Sequence, residues 1–424
     1  MSELSDKHYL RAVTELGDVR KIVANRDIYS QSGMKLVAAG VHITSGMYDR
    51  LVKHRLLSFD NALSIDDMLD SEGILADLHV LIGADSLLKR MSDVIDNGRL
   101  DRLILAIQLP GPLAFKLTIA REKYRDIYQH SLSFLVIGVY LARCDAMNLR
   151  EQTWVATAAL FHDIGLIHID PELLSPSHVM NNAERRHLYT HPLTAYLLLC
   201  EFPELPSQIA DAVLEHHERM DGSGYPRGLT GGKISRCGQI LAIAELAVKA
   251  FDSNYPKVPW EKLEVMLRLN SRQYGQGLIG YLNILRESNP ADMPSSVEDP
   301  GPLVAQIQLV AKLFADFNQH SDPSQSDKIF DLAKTRLTAL KLELFDAGFD
   351  PRDPAALTQL FTDDPECMTD YVPLLNETLW QFKTLLSEIS RLWPERVDEN
   401  DRQLESPVWL NEMTQSLLNA DIGS

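Results

Sequence analysis

The sequence predicts a mainly α protein with a small α+β domain at its N-terminus and a helical bundle at its C-terminus. Three observations predict it. Leu132, Leu135, Val136, Val139 and Tyr140 recur at helical spacing in the middle of the chain. Three apolar stripes follow near the C-terminus: Leu303, Ile307, Val310, Phe314 and Phe317; Phe330, Ala333, Leu337, Leu340 and Leu344; and Leu375, Leu379, Phe382, Leu386 and Ile389. Each steps by threes and fours, as one buried helix face requires, so the three predict a packed bundle. Near the N-terminus, Asp27 to Thr44 instead shows short strand-like runs around a Ser32-Gly33 turn. Thr44 or Ser45 suits the N-cap of a helix through Tyr48, Leu51 and Val52.

These elements divide the 424 residues into four parts. Residues 1–107 form the small α+β regulatory domain, joined through the linker-like Gln108–Pro112 (QLPGP). Residues 108–290 form the helical core. Residues 291–302 lie in a stretch rich in Pro, Ser and acid (Glu287 to Pro302) and read as a linker. Residues 303–424 form the C-terminal helical domain, which holds 21 acidic and 10 basic side chains. That is −11 of a total formal charge of −18, so most of the acidity lies outside the core. An acidic chain lacks the basic face that a DNA or RNA polymer or an anionic membrane requires. A small phosphorylated ligand needs only a few local donors and is not excluded.

The four cysteines, Cys144, Cys200, Cys237 and Cys367, form no CxxC pair. That pattern fits a reducing compartment and neither a disulfide framework nor a zinc ribbon. The opening MSELSDKHYL has no signal-peptide core. The longest apolar run, Phe134 to Ala142, is far short of the ~20 residues of a membrane span. The expected location is the cytoplasm.

Histidines and carboxylates are concentrated in the core. His162-Asp163 ends an apolar helical run, His216-His217 precedes a glycine-rich loop, His191 lies in RRHLYTHP, and Asp126 and His130 stand four residues apart. Imidazole and carboxylate are the usual ligands for iron, manganese or zinc. Adjacent helical residues diverge by roughly 100°, so a dyad can face two ions. An i, i+4 Asp/His pair equally serves as a helix salt bridge, and a single histidine as a satisfied core residue. Spacing alone leaves both readings open, although burying so many titratable groups unpaired is costly. Residues 216–257 hold six basic side chains (Arg219, Arg227, Lys233, Arg236, Lys249, Lys257) against four acidic ones, a mild pointer to an anionic ligand.

The motifs HDIG (His162 to Gly165), His191-Pro192 and HHERMDGSGYPRGL (His216 to Leu229) resemble the HD-GYP family, a branch of the HD phosphohydrolase superfamily, over roughly residues 113–285. The resemblance implies an HD-type helical bundle core. It also implies a centre of two or three divalent metal ions, Fe or Mn by preference, with Zn, Ni and Mg as further candidates. The implied activity is hydrolysis of cyclic di-GMP, the bacterial messenger, to pGpG or GMP. The implied metal ligands are Asp126, His130, His162, Asp163, His191, His216, His217 and Glu245, with His162 and Asp163 at the chemistry. Gly224, Tyr225 and Pro226 match the signature loop. With Arg219 and Lys257 they are the implied substrate contacts, while Arg219 and Asp221 also suit fixing the loop. The loop or the C-terminal bundle would meet a diguanylate cyclase or another signalling protein, and the heptad-like C-terminal stripes suit a homodimer.

Three positions depart from the family pattern. Leu166 stands where a lysine follows HDIG, Glu245 replaces an aspartate, and Asn254 to Lys257 (NYPK) keeps one cation of two. His168 is either a partial substitute for the lysine or an ordinary loop histidine. The departures carry an alternative function, a degenerate receptor or protein-interaction scaffold for cyclic di-GMP with little turnover.

Overall fold

The computed structural model describes residues 6–54, 56, 59–175, 178, 180–251, 271–282, 300–319, 327–363, 368–397 and 407–421. The chain forms two compact units, residues 1–255 with 273–285, and residues 256–272 with 286–424. The expected boundary near residue 107 falls inside the first unit.

The first unit opens with α1 (Asp6–Leu16), followed by two small antiparallel sheets. β1 (Ile22–Ala24) pairs with β4 (Leu63–Ile65), and β2 (Ile28–Tyr29) pairs with β3 (Lys35–Val37). The β2–β3 turn falls where Ser32-Gly33 predicts it, and Gly33 has the positive φ of +83° that a residue without Cβ adopts freely. The helix expected from Thr44 is shorter and differently anchored. It is a 3₁₀ turn, Ser45–Met47, running into Tyr48–Leu51, and Thr44 makes no capping bond. The Ser45 N–H donates instead to Asp18 Oδ1 at 3.0 Å, a partner 27 residues earlier that local reading cannot supply.

Three helices follow, α2 (Ser71–Ala84), α3 (Ser86–Ile95) and α4 (Asn97–Leu105), each with an aspartate side chain at its N-cap. α5 (Gly111–Lys123) begins within the expected linker, because Pro112 lies in its first turn, where proline's missing N–H has no consequence. α6 (Arg125–Cys144) is the centre of the unit. Its residues Phe134 to Ala142 are buried without interruption, so the longest apolar run is a core helix covered on all sides. It packs against α7 (Leu149–Phe161) and α11 (Arg236–Phe251). Gly138 permits the close approach to α7, since a Cβ there would meet Val155 Cγ1 at 3.3 Å. Between α7 and α11 lie α8 (Asn182–Leu188), α9 (His191–Leu199) and α10 (Ser207–Glu215). Capping boxes start α7, through Asn148 and Glu151, and α8, through Asn181 and Glu184.

In the second unit the three apolar stripes lie on α12 (Gly301–Gln319), α13 (Lys328–Asp346) and α15 (Met368–Leu392). Leu303, Ile307, Val310, Phe314, Ala333, Leu337, Leu344, Leu375, Phe382 and Ile389 are all buried in one core. Phe314 meets Phe382 edge-on at 5.1 Å, a preferred aromatic geometry. Two further helices, α14 (Pro354–Asp363) and α16 (Val408–Asp421), complete that core through Leu357, Phe361, Trp409 and Met413. Among the described residues no helix is long and apolar enough to cross a membrane.

Candidate metal centre

Three helix ends and two helix flanks deliver the site. His162 follows the last residue of α7, His191 opens α9, and His216 follows the last residue of α10. His130 projects from the second turn of α6, and Glu245 from the middle of α11. Helix ends suit this task because their terminal carbonyls are unsatisfied. Each terminal histidine uses one: Nδ1 bonds to the carbonyl three residues back, His162 to Ala159 (2.8 Å), His191 to Leu188 (2.8 Å) and His216 to Val213 (2.6 Å). A carbonyl only accepts, so Nδ1 carries the proton and Nε2 of the neutral ring presents a lone pair inward. Phe134 fixes the His162 ring further, stacking at 3.9 Å with an interplanar angle of 11°.

The inward atoms form two groups. Ligand atoms of His191, His216 and His217 lie within 4.8 Å of one another, and so do those of His130, His162 and Glu245. Asp163 stands between them. Its Oδ1 is 3.2 Å from His191 Nε2 and 3.8 Å from His216 Nε2. Its Oδ2 is 3.3 Å from His162 Nε2 and 3.7 Å from His130 Nε2. Glu245, one methylene longer than the family's aspartate, still reaches the second group, with Oε2 3.6 Å from His130 Nε2 and 3.9 Å from His162 Nε2.

The donor set fits cations. The buried Nε2 atoms of His130 and His162 make no hydrogen bond, and His191 Nε2 and His216 Nε2 face each other at 3.3 Å. Converging lone pairs need a proton or a metal ion between them. The electrostatics agree. Burial would raise the Asp163 carboxyl, but the His162 and His191 imidazoles outweigh it and hold it well below the usual carboxylate range. Burial would lower His162, but Asp163 and Glu245 reverse the balance and raise it. His216 is lowered to about 3 by burial and by its His162 and His191 neighbours, so it stays a neutral donor.

Seven of the eight expected ligands therefore converge. Asp126 does not join them: it is exposed on the first turn of α6 and belongs to neither group. Leu166 is half-buried in the 3₁₀ turn Ile164–His168. His168 is buried with its ring 4.9 Å from that of Tyr9 on α1, so it packs against the N-terminal helix. Gly165 has a steric reason to be glycine, since a Cβ there would lie 2.3 Å from the His191 carbonyl oxygen.

The signature loop covers the His191–His217 side. The Tyr225 ring lies 4.6 Å from that of His217 at 26°, and 4.3 Å from that of Tyr189 at 30°. Burial, chiefly, raises the Tyr225 phenol well above its ordinary range. Gly224 is buried, and a Cβ on it would sit 2.4 Å from Glu218 Cα and from Arg219 N. Pro226 is half-buried beside it. Arg219 stacks over the Tyr274 ring at 4.6 Å and donates to the Glu218 carbonyl. The basic residues that suggested an anionic ligand are partly engaged elsewhere, Arg227 with Glu215 and Arg236 with Asp145. Lys257, Asn254 and the rest of NYPK lie outside the described residues. Sequence reading missed Phe134, Tyr189, Gly165, Glu215 and Glu218. The paired glutamates flanking His216-His217 were a local signal; Phe134 and Tyr189 act through contacts that only the fold creates.

The family-model match falls on the same region. Residues 117–269 match the HD domain family model. The chain is 34% identical over 129 residues to a 3'3'-cGAMP-specific phosphodiesterase of Vibrio cholerae, covering 30% of each chain. It is 28% identical over 186 residues to a cyclic di-GMP phosphodiesterase of Pseudomonas aeruginosa, covering 42% of this chain and 44% of that one. A solved structure described as an HDG"Y"P protein from Bdellovibrio bacteriovorus aligns with a TM-score of 0.36 and 15% identity, over 62% of this chain and 95% of that one. Residues 117–269 thus carry an HD domain, and the HDIG and HHERMDGSGYPRGL motifs lie inside it. The matches span less than half the length of the two curated relatives.

Proposed function

We propose that this protein is a metal-dependent phosphodiesterase that hydrolyses cyclic di-GMP to pGpG or GMP in the bacterial cytoplasm. The observation that carries this reading is Asp163, whose two oxygens face two separate three-residue ligand groups. That arrangement suits two ions sharing one carboxylate, His191, His216 and His217 holding one, and His130, His162 and Glu245 the other. Iron or manganese suits the mixed imidazole and carboxylate donors. The relatives' names, both cyclic-dinucleotide phosphodiesterases, support the substrate class. The reduced cysteines Cys144, Cys200 and Cys237 agree with a cytoplasmic setting.

When bound, a pair of ions supplies a hydroxide from water at neutral pH and neutralises charge on the phosphoryl oxygens. The chain's own residues do the rest. The Nδ1 hydrogen bonds of His162, His191 and His216 lock each ring with Nε2 inward. Asp163 remains ionised and orients the attacking group between the two halves. Tyr225, held between His217 and Tyr189, walls one side of the site with aromatic surface. Glu245 replaces the shorter aspartate and keeps its carboxylate at the His130–His162 side.

Two measurements test this. Protein loaded anaerobically with Fe²⁺ or Mn²⁺ will carry two ions per chain and convert cyclic di-GMP. The same loading will stabilise the first unit, because ions that bind only the folded state stabilise it by ~2.7 kcal/mol at a hundred times Kd. At 2–4 °C per kcal/mol for a unit of this size, its thermal midpoint rises by about 5–10 °C and returns on chelation. An unchanged midpoint, or metal near zero after loading, contradicts the assignment.

A further inference from the structure

We infer that Glu218 is a positioning residue: its carboxylate latches the signature loop so that Tyr225 lies over His217. Glu218 is fully buried and directly follows the His216-His217 pair, but it joins neither ligand group. Both of its oxygens are spent on main-chain donors of the loop. Oε1 accepts from the Arg227 N–H at 2.7 Å and Oε2 from the Leu229 N–H at 2.8 Å. Between those anchors and the ligands lies Tyr225, whose N–H donates to the His217 carbonyl at 3.1 Å. The loop also runs directly against Glu218, with no room for a side chain at Gly224.

Glu215, on the other side of the histidine pair, makes a parallel set of bonds. Its Oε2 accepts from the Ser235 N–H at 2.8 Å and its Oε1 from the Arg227 guanidinium at 2.5 Å. The two carboxylates flanking the histidines thus both reach Arg227, Glu218 through the main chain and Glu215 through the side chain. Glu218 holds two main-chain donors of the loop, whereas Glu215 reaches it only through the Arg227 side chain, which is 42% exposed, so Glu218 is the stronger hold. Only a carboxylate suits the position. A glutamine of the same size accepts one N–H and turns an NH₂ toward the other, leaving two donors facing each other in a buried site.

The Glu218→Gln variant separates this role from general stability. Hydrogen exchange in peptides covering residues 223–229 will speed up about tenfold or more, while peptides from α6 and α7 keep their protection. Metal content will stay at the wild-type value, and KM for cyclic di-GMP will rise about tenfold with a smaller change in kcat. The kinetic arm rests on the phosphodiesterase reading, and the exchange arm does not. Unchanged loop exchange overturns the latch even if activity falls. No turnover in either protein sinks the phosphodiesterase reading and leaves exchange to decide the latch. If Glu218→Gln fails to fold, Arg227→Ala decides. It removes the Glu215 contact and keeps both Glu218 bonds, so the loop should stay protected to within about twofold. A loop freed by Arg227→Ala would make Glu215 the anchor and overturn the assignment.

Discussion

Asp163→Asn will remove both metal ions and lower turnover by at least about 10³-fold. The effect is larger than for any single histidine because, among the described residues, it is Asp163 that touches both ligand groups, through Oδ1 to His191 and His216 and through Oδ2 to His162 and His130. Asparagine keeps the volume but removes the charge, and its NH₂ turns a donor toward imidazoles or cations. It also leaves several buried imidazoles without their counter-charge, and breaking a buried pair by removing one partner costs about 3–5 kcal/mol. Single electrostatic donors at reacting centres commonly contribute 10²–10³-fold, and loss of the ions adds to that. Metal analysis and a turnover assay on the same sample check the result. A variant that retains two ions per chain would show that Asp163 does not join the two groups. His130→Ala, by contrast, touches one group and should lose one ion.

Gly165→Ala will damage the site without altering any ligand. A methyl group at residue 165 meets the His191 main chain, 2.3 Å from its carbonyl oxygen and 3.0 Å from its carbonyl carbon. Main chain at the start of α9 cannot step aside as a flexible side chain would. Overpacking of this kind costs about 1–3 kcal/mol and sometimes more, or roughly 2–12 °C in the midpoint of the first unit. Relief comes from moving α9 away, which carries His191 Nε2 from Asp163 and His216. The variant is therefore expected to lose the ion held by His191, His216 and His217 before the ion held by His130, His162 and Glu245. Calorimetry with metal analysis reads both effects. A Gly165→Ala protein with wild-type midpoint and two ions would refute the packing argument.

Much of this was legible in the sequence, for reasons that differ between fold and site. The uninterrupted apolar run Phe134 to Ala142 marks a buried helix because a helix covered on every face has no polar stripe. The three C-terminal stripes were legible for the opposite reason, one apolar face each. α14 and α16 were not, being shorter and contributing fewer core residues. The Thr44 cap failed because Asp18 supplies the bond from across the chain. In the site, the His-Asp and His-His dyads announced ligands, and the HD-GYP resemblance extended them to His191 and Glu245. That Asp126 stays exposed while Glu245 converges depends on helix rotation and crossing, which spacing does not encode. The same holds for His168, whose environment is made by Tyr9 some 160 residues earlier.

The most direct test is an anaerobic assay of protein loaded with Fe²⁺ or Mn²⁺, following cyclic di-GMP to pGpG and GMP, with metal content measured on the same sample. Two ions per chain are expected, with product formation that disappears in His162→Ala. Two bound ions with no product, or equal product from wild type and His162→Ala, would contradict the phosphodiesterase reading.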